Sequence, residues 1–155
     1  MRLRRAFVAA LVAAWAVDVA TKTWAAASLT ERTIGLFGGR LLLRESRNTG
    51  AAFSIGTDQT VLISLIGLVV VTVIVRHIRT VTSQASAVAW GLVAGGATGN
   101  LTDRLLREPG PLRGGVVDWI DLGWFPSFNA ADAAITVGVA LLLVVSVREE
   151  RASAS

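Results

Sequence analysis

Residues 95–132 read GGATGNLTDRLLREPGPLRGGVVDWIDLGWFPSFNAAD and lie where a very apolar segment gives way to a polar loop. Carboxylates, amides and arginines are concentrated at this junction. Two acids stand out: Asp118 lies in the alternating run VVDWI, and Asp132 lies just inside the apolar run that follows. They are fourteen residues apart along the chain. We therefore expect the chemistry of the protein in this stretch.

The composition is that of a membrane protein. The chain has 155 residues, of which 53% are hydrophobic and 17% charged, and its mean hydropathy is +0.60, whereas soluble domains are about half apolar and a quarter charged. One domain is expected at this length. The net charge of +4 does not indicate a nucleic-acid partner, because the arginines flank apolar runs in short groups. The chain contains no cysteine, which excludes disulfides and thiolate chemistry.

Hydrophobic runs predict an all-α membrane protein of one domain, residues 1–155, with a small β-containing cap. The expected spans are approximately 6–28, 59–77, 84–103 and 129–147, and the expected outer loops are 29–58 and 104–128. A short strand is predicted over 40–47, and residues 115–121 are expected to be extended. The N-terminus resembles a secretory signal, but Asp18 and Lys22 continue the helical run, so we expect this helix to be retained.

Small residues predict how the helices pack, and charged residues predict how they are oriented in the membrane. Gly91, Gly95 and Gly99 recur at every fourth position, a spacing that lets two helix backbones approach closely. Gly96, in the same segment, is assigned a structural role. Arginines at positions 2, 4 and 5 favour cytoplasmic termini, which leaves both long loops outside. An interfacial aromatic belt is expected before the last span, formed by Trp119, Trp124, Phe125 and Phe128.

The two acids suit acid and base roles. Asp118 would share one face of an extended segment with apolar side chains, which favours its protonated form. Asp132, near a helix start capped by Ser127 or Asn129, would be favoured as a carboxylate by the helix dipole. Two carboxyl groups in opposed environments are typical of acid–base pairs. The alternative is a solvated loop acid and an ordinary N-terminal helix acid.

Other polar residues have both a structural and a functional interpretation. Asn100, Asp103 and Arg104 share one face of a helix. They could form a cap at the helix end, with the arginine side chain extending to the membrane surface. Alternatively, they could support the residues that carry the chemistry. Asp18 and Lys22 are four residues apart, so their charges can pair as a tether of the first helix or serve the site.

Loop and surface residues leave similar choices open. Asn48 and Gly50 fit a turn or a segment that folds over a peptide. Asp121, close to Asp118, either perturbs the protonation of Asp118 and Asp132 or points into solvent on the other face of the strand. His77, the sole histidine, lies among arginines on the expected cytoplasmic side, which argues against a Ser/His protease and a histidine zinc site.

Five ordered patterns resemble those of lipoprotein signal peptidase, also called signal peptidase II, a family of bacterial intramembrane aspartic proteases. They are Asp18 with Thr21-Lys22, Asn48-Thr49-Gly50-Ala51-Ala52-Phe53-Ser54, Gly99-Asn100-Leu101-Thr102-Asp103-Arg104, Val117-Asp118-Trp119 and Phe128-Asn129-Ala130-Ala131-Asp132. The chain departs from the family at Trp119, where phenylalanine is usual, in a longer 107–115 segment and in a short connection at 123–126.

The resemblance implies a function and a location. Asp118 and Asp132 would form the catalytic dyad, with one carboxylate activating water and its protonated partner serving the leaving amine. Residues expected to order the site or hold substrate are Asn48, Gly50, Asn100, Asp103, Arg104 and Asn129. The substrate would be a prolipoprotein carrying diacylglyceryl on its lipobox cysteine, cut immediately before that cysteine. The enzyme would be a monomer of the bacterial inner membrane, in contact with lipid, and would act toward the extracytoplasmic face without metal or cofactor.

Two other classes of protein fit the residues alone. A small channel or transporter could line a polar path with Asp18, Lys22, Asp118 and Asp132. A non-catalytic assembly subunit could use the glycine stripe to pack on a partner.

Overall fold

A computed structural model describes residues 1–50 and 57–153, and the fold is mostly helical with a small sheet, as predicted. The elements are α1 (Arg2–Ser28), β1 (Ile34–Leu36), β2 (Leu41–Asn48), α2 (Thr57–His77), α3 (Gln84–Leu106), β3 (Val116–Asp121) and α4 (Ala130–Ser153). A short 3₁₀ turn at Phe37–Gly39 separates β1 from β2. The predicted loop stretch 51–56 lies outside the described residues.

Helix α3 is central because its glycines admit neighbouring backbones. A Cβ added at Gly91 would lie 2.5 Å from the carbonyl oxygen of Phe7, and one at Gly95 would lie 2.5 Å from that of Leu11. The predicted close packing of the glycine stripe is confirmed, with α1 as the partner helix. Gly96 faces the other way, because a Cβ there would clash with the carbonyl oxygen of Ala131 on α4.

Helix α2 packs beside α3 but not against α4 in the described part of the chain. Gly67 on α2 faces the side chain of Leu101 on α3. Between α2 and α4 there is consequently a crevice with α3 as its floor. Its apolar walls come from Ile66 on α2, Ala97 on α3 and Ile135 on α4.

Two of the four long helices are apolar enough to cross a bilayer by length and composition alone. Within the described residues these segments are Gln59–His77 of α2 and Ala130–Ala152 of α4. Most of their side chains face outward, as lipid-facing residues would. Helix α1 carries Asp18 and Lys22 within its length, and α3 carries Asp103 and Arg104 near its end.

The sheet is antiparallel in the order β1-β2-β3. Leu43 of β2 pairs with Ile34 of β1 and Ile120 of β3, and Ser46 pairs with Asp118 after an irregularity in register. The predicted strands over 40–47 and 115–121 are each within one residue of β2 and β3. Strand β1 was not predicted, because its three residues are too few to show an alternating pattern. Buried Ala25, Leu29 and Val117 pack the sheet on the end of α1.

Candidate active site

One cavity brings the two predicted acids together. It has a volume of about 270 Å³ and is bounded by β2, β3 and the three helices α2, α3 and α4. Asp118 on β3 and Asp132 in the first turn of α4 both line it. Its lower wall is the apolar crevice between α2 and α4. The sequence did not single out that wall, because an apolar run does not reveal which of its residues face a cavity rather than lipid.

Asn129 joins the two acids. Its side-chain Nδ2 donates to Oδ1 of Asp118 over 2.6 Å, and its backbone N–H donates to Oδ2 of Asp132 over 3.2 Å. The Asn129 Oδ1 in turn accepts the backbone N–H of Asp132 at 3.0 Å. This reciprocal pairing is a capping box at the start of α4. Of the two caps that the sequence allowed, the helix therefore uses Asn129 and not Ser127.

Asn100 reaches the same carboxylate from α3. Its Nδ2 donates to Oδ1 of Asp132 over 2.9 Å, so each oxygen of that carboxylate accepts an N–H. The Oδ1 of Asn100 accepts from Nζ of Lys22 at 2.7 Å and from Nδ2 of Asn129 at 3.3 Å. Asn100 is thus bonded to one acid directly and to the other through Asn129.

The environment of Asp118 favours its protonated form more than water does. Its side chain is 3% exposed, and this burial raises the pKa of Asp118 to about 6. The negative charge of Asp132 raises it further, while amide hydrogen bonds from Asn48 and Asn129 lower it. The sequence expectation that Asp118 favours its protonated form agrees with this direction.

The charges of α1 form a buried network beneath the dyad. Lys22 is 1% exposed, and its Nζ lies 2.7 Å from Oδ2 of Asp18 and 3.2 Å from Oδ2 of Asp103. The predicted ion pair between Asp18 and Lys22 is present. Asp18 also accepts the backbone N–H of Ala131 at 2.8 Å. The network therefore ties α1 to α3 and to the start of α4.

Asp103 and Arg104 hold the segment that leads into β3. Oδ2 of Asp103 accepts the backbone N–H of Val117 at 3.1 Å, one residue before Asp118, and its Oδ1 binds Arg107. The buried guanidinium of Arg104 donates to the carbonyl oxygen of Gly114 over 3.0 Å and lines the cavity. Asp103 thus positions the strand that carries Asp118, and Arg104 forms part of the cavity wall.

The predicted loop residues lie at the cavity rim. Asn48, the last residue of β2, lines the cavity, and its Oδ1 accepts the backbone N–H of Gly50 at 2.8 Å. Gly50 has a φ of +80°, and a Cβ there would lie 2.6 Å from Cδ1 of Ile63 and 3.3 Å from Arg104. Both the backbone conformation and the space therefore favour glycine. Phe53 lies outside the described residues.

Asp121 does not point into solvent, which was one of the two alternatives that the sequence allowed. Its side chain is 5% exposed and lies 2.5 Å from Arg44, and it accepts the backbone N–H of Gly123 at 2.7 Å. These contacts, the Gly123 hydrogen bond foremost, lower the pKa of Asp121. It therefore neither points into solvent nor lines the cavity with the dyad.

The remaining histidine and acids of the described residues lie outside this site. His77 lies at the end of α2 against the ring of Trp90, with centroids 5.2 Å apart. Nowhere in residues 1–50 or 57–153 do three or more His, Asp or Glu side chains gather as a metal site would require.

Residues 10–148 match the family model described as signal peptidase (SPase) II. The chain belongs to this family. The family resemblance that the five motifs predicted is thereby confirmed.

Relatives and solved structures agree with the assignment. The chain is 46% identical over 132 residues to a lipoprotein signal peptidase of Rhodococcus jostii (strain RHA1), covering 84% of this chain and 67% of that protein. It is 42% identical over 146 residues to one of Mycolicibacterium smegmatis, covering 94% of this chain and 62% of that protein. A solved bacterial membrane enzyme superposes with a TM-score of 0.78 at 27% identity over 90% of each chain. The protein is therefore a membrane protein, and it spans about two thirds of these relatives' length.

Proposed function

We propose that the protein is an aspartic protease that removes the signal peptide from prolipoproteins. The observation that carries the proposal is the convergence of Asp118 and Asp132 on one cavity, joined by Asn129. Family membership supplies the substrate class. By the same resemblance, the substrate carries diacylglyceryl on its lipobox cysteine, and the cut falls immediately before that cysteine.

The hydrogen bonds support distinct roles for the two acids. Both oxygens of Asp132 accept N–H groups, which favours its carboxylate as the base that takes a proton from water. The resulting hydroxide oxygen bonds to the scissile carbonyl carbon. Asp118 holds the proton that polarises this carbonyl, and it passes that proton to the amine as the C–N bond breaks. Asn48, at the cavity rim, and Arg104, in its wall, are placed to hold the substrate backbone.

The fold also supports a proposed membrane arrangement. All four helices would cross the bacterial inner membrane with both termini in the cytoplasm, as one monomeric membrane domain. The sheet and the loops around it would then form an extracytoplasmic cap. Exposed Trp124 and Phe125 before α4 would lie in the interface. The crevice between α2 and α4 would admit the apolar signal peptide from lipid directly to the dyad.

The channel hypothesis receives less support. A conducting path requires charged groups that face water along its length. Asp18 and Lys22 are instead buried and bonded to one another, to α3 and to α4. Their charges are committed to the protein and are unavailable to a passing ion.

Cleavage of a purified precursor tests the proposal. The protein should release the signal peptide from the lipidated precursor and leave the unlipidated form intact. Asp118→Asn and Asp132→Asn should each lower kcat by about 10²–10⁴-fold, the contribution of a general acid or base. Asp121→Asn is the matched control, because it also changes an acid of β3 but lies outside the cavity. Full turnover in both dyad variants, or equal cleavage of both precursors, would refute the assignment.

A further inference from the structure

Lys22 lies beneath the dyad and outside the lining of the cavity, so it does not face the substrate. Its ammonium makes three close contacts: 2.7 Å to Asp18, 2.7 Å to Oδ1 of Asn100 and 3.2 Å to Asp103. Two of these contacts neutralise charge. The third, to a neutral amide, contributes no charge pairing and requires a different explanation.

The contact with Asn100 fixes which end of its amide faces the dyad. A side-chain amide has an acceptor end and a donor end, whereas an ammonium can only donate. Oδ1 of Asn100 must therefore face Lys22, which leaves Nδ2 pointing at Oδ1 of Asp132 over 2.9 Å. In the opposite orientation two oxygens would face each other at Asp132, and two donors would face each other at Lys22.

The orientation of the Asn100 amide also affects Asp118, through Asn129. Oδ1 of Asn100 also accepts from Nδ2 of Asn129 at 3.3 Å, and that nitrogen donates to Oδ1 of Asp118 at 2.6 Å. The cation on α1 is thus two hydrogen bonds from Asp132 and three from Asp118. Asp132 accepts an N–H on each oxygen, while Asp118 accepts from Asn48 and from the amide of Asn129 that also donates to Asn100.

We infer that Lys22 is a positioning residue of the reaction: it holds Asn100 as a donor to Asp132, which keeps Asp132 the charged base and leaves the resting proton on Asp118. This inference rests on the proposed function and adds a role to a residue remote from the substrate. The negative charge of Asp132 raises the pKa of Asp118, whereas the positive charge of Lys22 by itself lowers it, so the effect of Lys22 on the proton has to pass through Asn100 and Asp132. The other charged groups facing the network in the described part of the chain are Asp18 from α1, Asp103 and Arg104 from α3, and Arg107 just after α3, which binds Asp103.

A purely structural tether predicts a different pattern. If Lys22 only held α1 in place, its loss would lower stability and would do so whatever residue stood at position 100. If it acts through Asn100, its loss should change kcat and the location of the proton, and only while Asn100 is present. A double-mutant cycle separates the two predictions.

A substitution of Lys22 must not leave the buried carboxylate of Asp18 without a partner. Lys22→Met alone would leave the buried carboxylate of Asp18 without its cation and would destabilise the fold. Asp18→Asn is therefore the reference, because its amide oxygen can still accept from Ala131 and Lys22 keeps Asn100 and Asp103 as partners. Adding Lys22→Met to this reference should lower kcat about 10²-fold, the effect of a misplaced catalytic group. KM should change little, since Lys22 does not line the cavity.

Two further variants complete the cycle. When Asn100→Leu is present in the Asp18→Asn reference, adding Lys22→Met should cause no further loss of kcat. Trp15→Phe removes a different bond between α1 and α3, the one to Oγ1 of Thr102, and should leave kcat unchanged. An equal loss of kcat with and without Asn100 would overturn the inference in favour of the tether.

Infrared spectroscopy gives a readout that does not depend on turnover. At pH 5, below the pKa of about 6 for Asp118, the purified protein should show the C=O band of a protonated carboxyl that is absent in Asp118→Asn and retained in Asp132→Asn. That band should weaken when Lys22→Met is added to the Asp18→Asn reference, and an unchanged band would contradict the inference. If the wild-type protein cleaves no precursor, the proposed function fails, while these spectra still decide where the proton lies.

Discussion

The Nδ2 of Asn129 lies 2.6 Å from Oδ1 of Asp118, although the two residues belong to different elements and are eleven positions apart. The same asparagine caps the helix that carries Asp132. One side chain therefore fixes the distance from strand to helix and the environment of both acids. The arrangement makes the geometry of the dyad depend on a helix cap.

Asn129→Ala should impair catalysis more than stability. The variant removes the bond to Asp118 and the acceptor for the backbone N–H of Asp132, so kcat should fall by about 10²-fold. The lost cap should cost about 1 kcal/mol. Steady-state cleavage and thermal unfolding in detergent measure the two effects. Ser127→Ala is the control from the same segment, and a kcat equal to wild type in Asn129→Ala would contradict the bridging role.

Activity should decline as the pH rises through about 6. Asp118 must be protonated to serve as the acid, and burial raises its pKa to about 6. The pH profile of kcat/KM for a lipidated precursor should therefore have its alkaline limb near this value. Asp121→Asn should share that limb. A profile that stays level from pH 5 to about pH 8 would exclude Asp118 as the proton donor.

Asp118→Asn should stabilise the inactive protein at neutral pH. Because the pKa of Asp118 is raised from 3.8 to about 6, the folded state binds this proton more tightly than the unfolded chain does. Stability is therefore lost as the pH rises from about 4 to about 6 and stays lost above that window. The amide should recover up to about 3 kcal/mol at pH 8. Thermal unfolding at pH 4 and pH 8 should show the two proteins diverging only at the higher pH.

Gly99→Ala should separate α1 from α3. A methyl group there would collide with Oδ2 of Asp18, so the apparent Tm should fall and cleavage should be lost. Gly67→Ala is the matched comparison, since it makes the same change inside a helix but meets only the side chain of Leu101 at 3.3 Å. Alanine is favoured over glycine by about 1 kcal/mol in a helix, so the apparent Tm of Gly67→Ala should match or exceed that of wild type. Equal losses in both variants would argue against close α1–α3 packing.

The proposed topology predicts which residues a membrane-impermeant thiol reagent can reach. The chain has no cysteine, so each single substitution reports one position. Arg40→Cys, in the cap, should react in intact cells, whereas Arg79→Cys, after α2, should react only once the membrane is opened. Both positions are exposed in the fold. Reaction of Arg79→Cys in intact cells would reverse the orientation.

Local pattern predicted much of the fold, and the motifs named most of the polar residues that line the cavity. The apolar runs predicted helices close to those observed, the alternating VVDWI run predicted β3, and the glycine spacing predicted that another helix packs closely on α3 without indicating which one. The motifs placed Asp118 and Asp132 together because their order along the chain matches a family. What the sequence could not give was the set of long-range partners.

The partners of Lys22 show why. Spacing along one helix predicted its pairing with Asp18, which is four residues away. Its bonds to Asn100 and Asp103 join residues about eighty positions apart and depend on how α1 and α3 cross. Asp121 was likewise undetermined, because its partner Arg44 is set by the register between β2 and β3. Such pairings depend on how helices and strands pack together, and the spacing of residues within one helix or strand does not reveal this.

The cap at the start of α4 also constrains how the protein matures. Helix α4 follows α1, α2 and α3 along the chain, and its cap and first turn supply Asn129 and Asp132. A nascent chain that has been synthesised only as far as β3 therefore carries Asp118 but lacks both Asp132 and the asparagine that joins the two acids. The candidate site can form only after α4 has been made and has packed against α3.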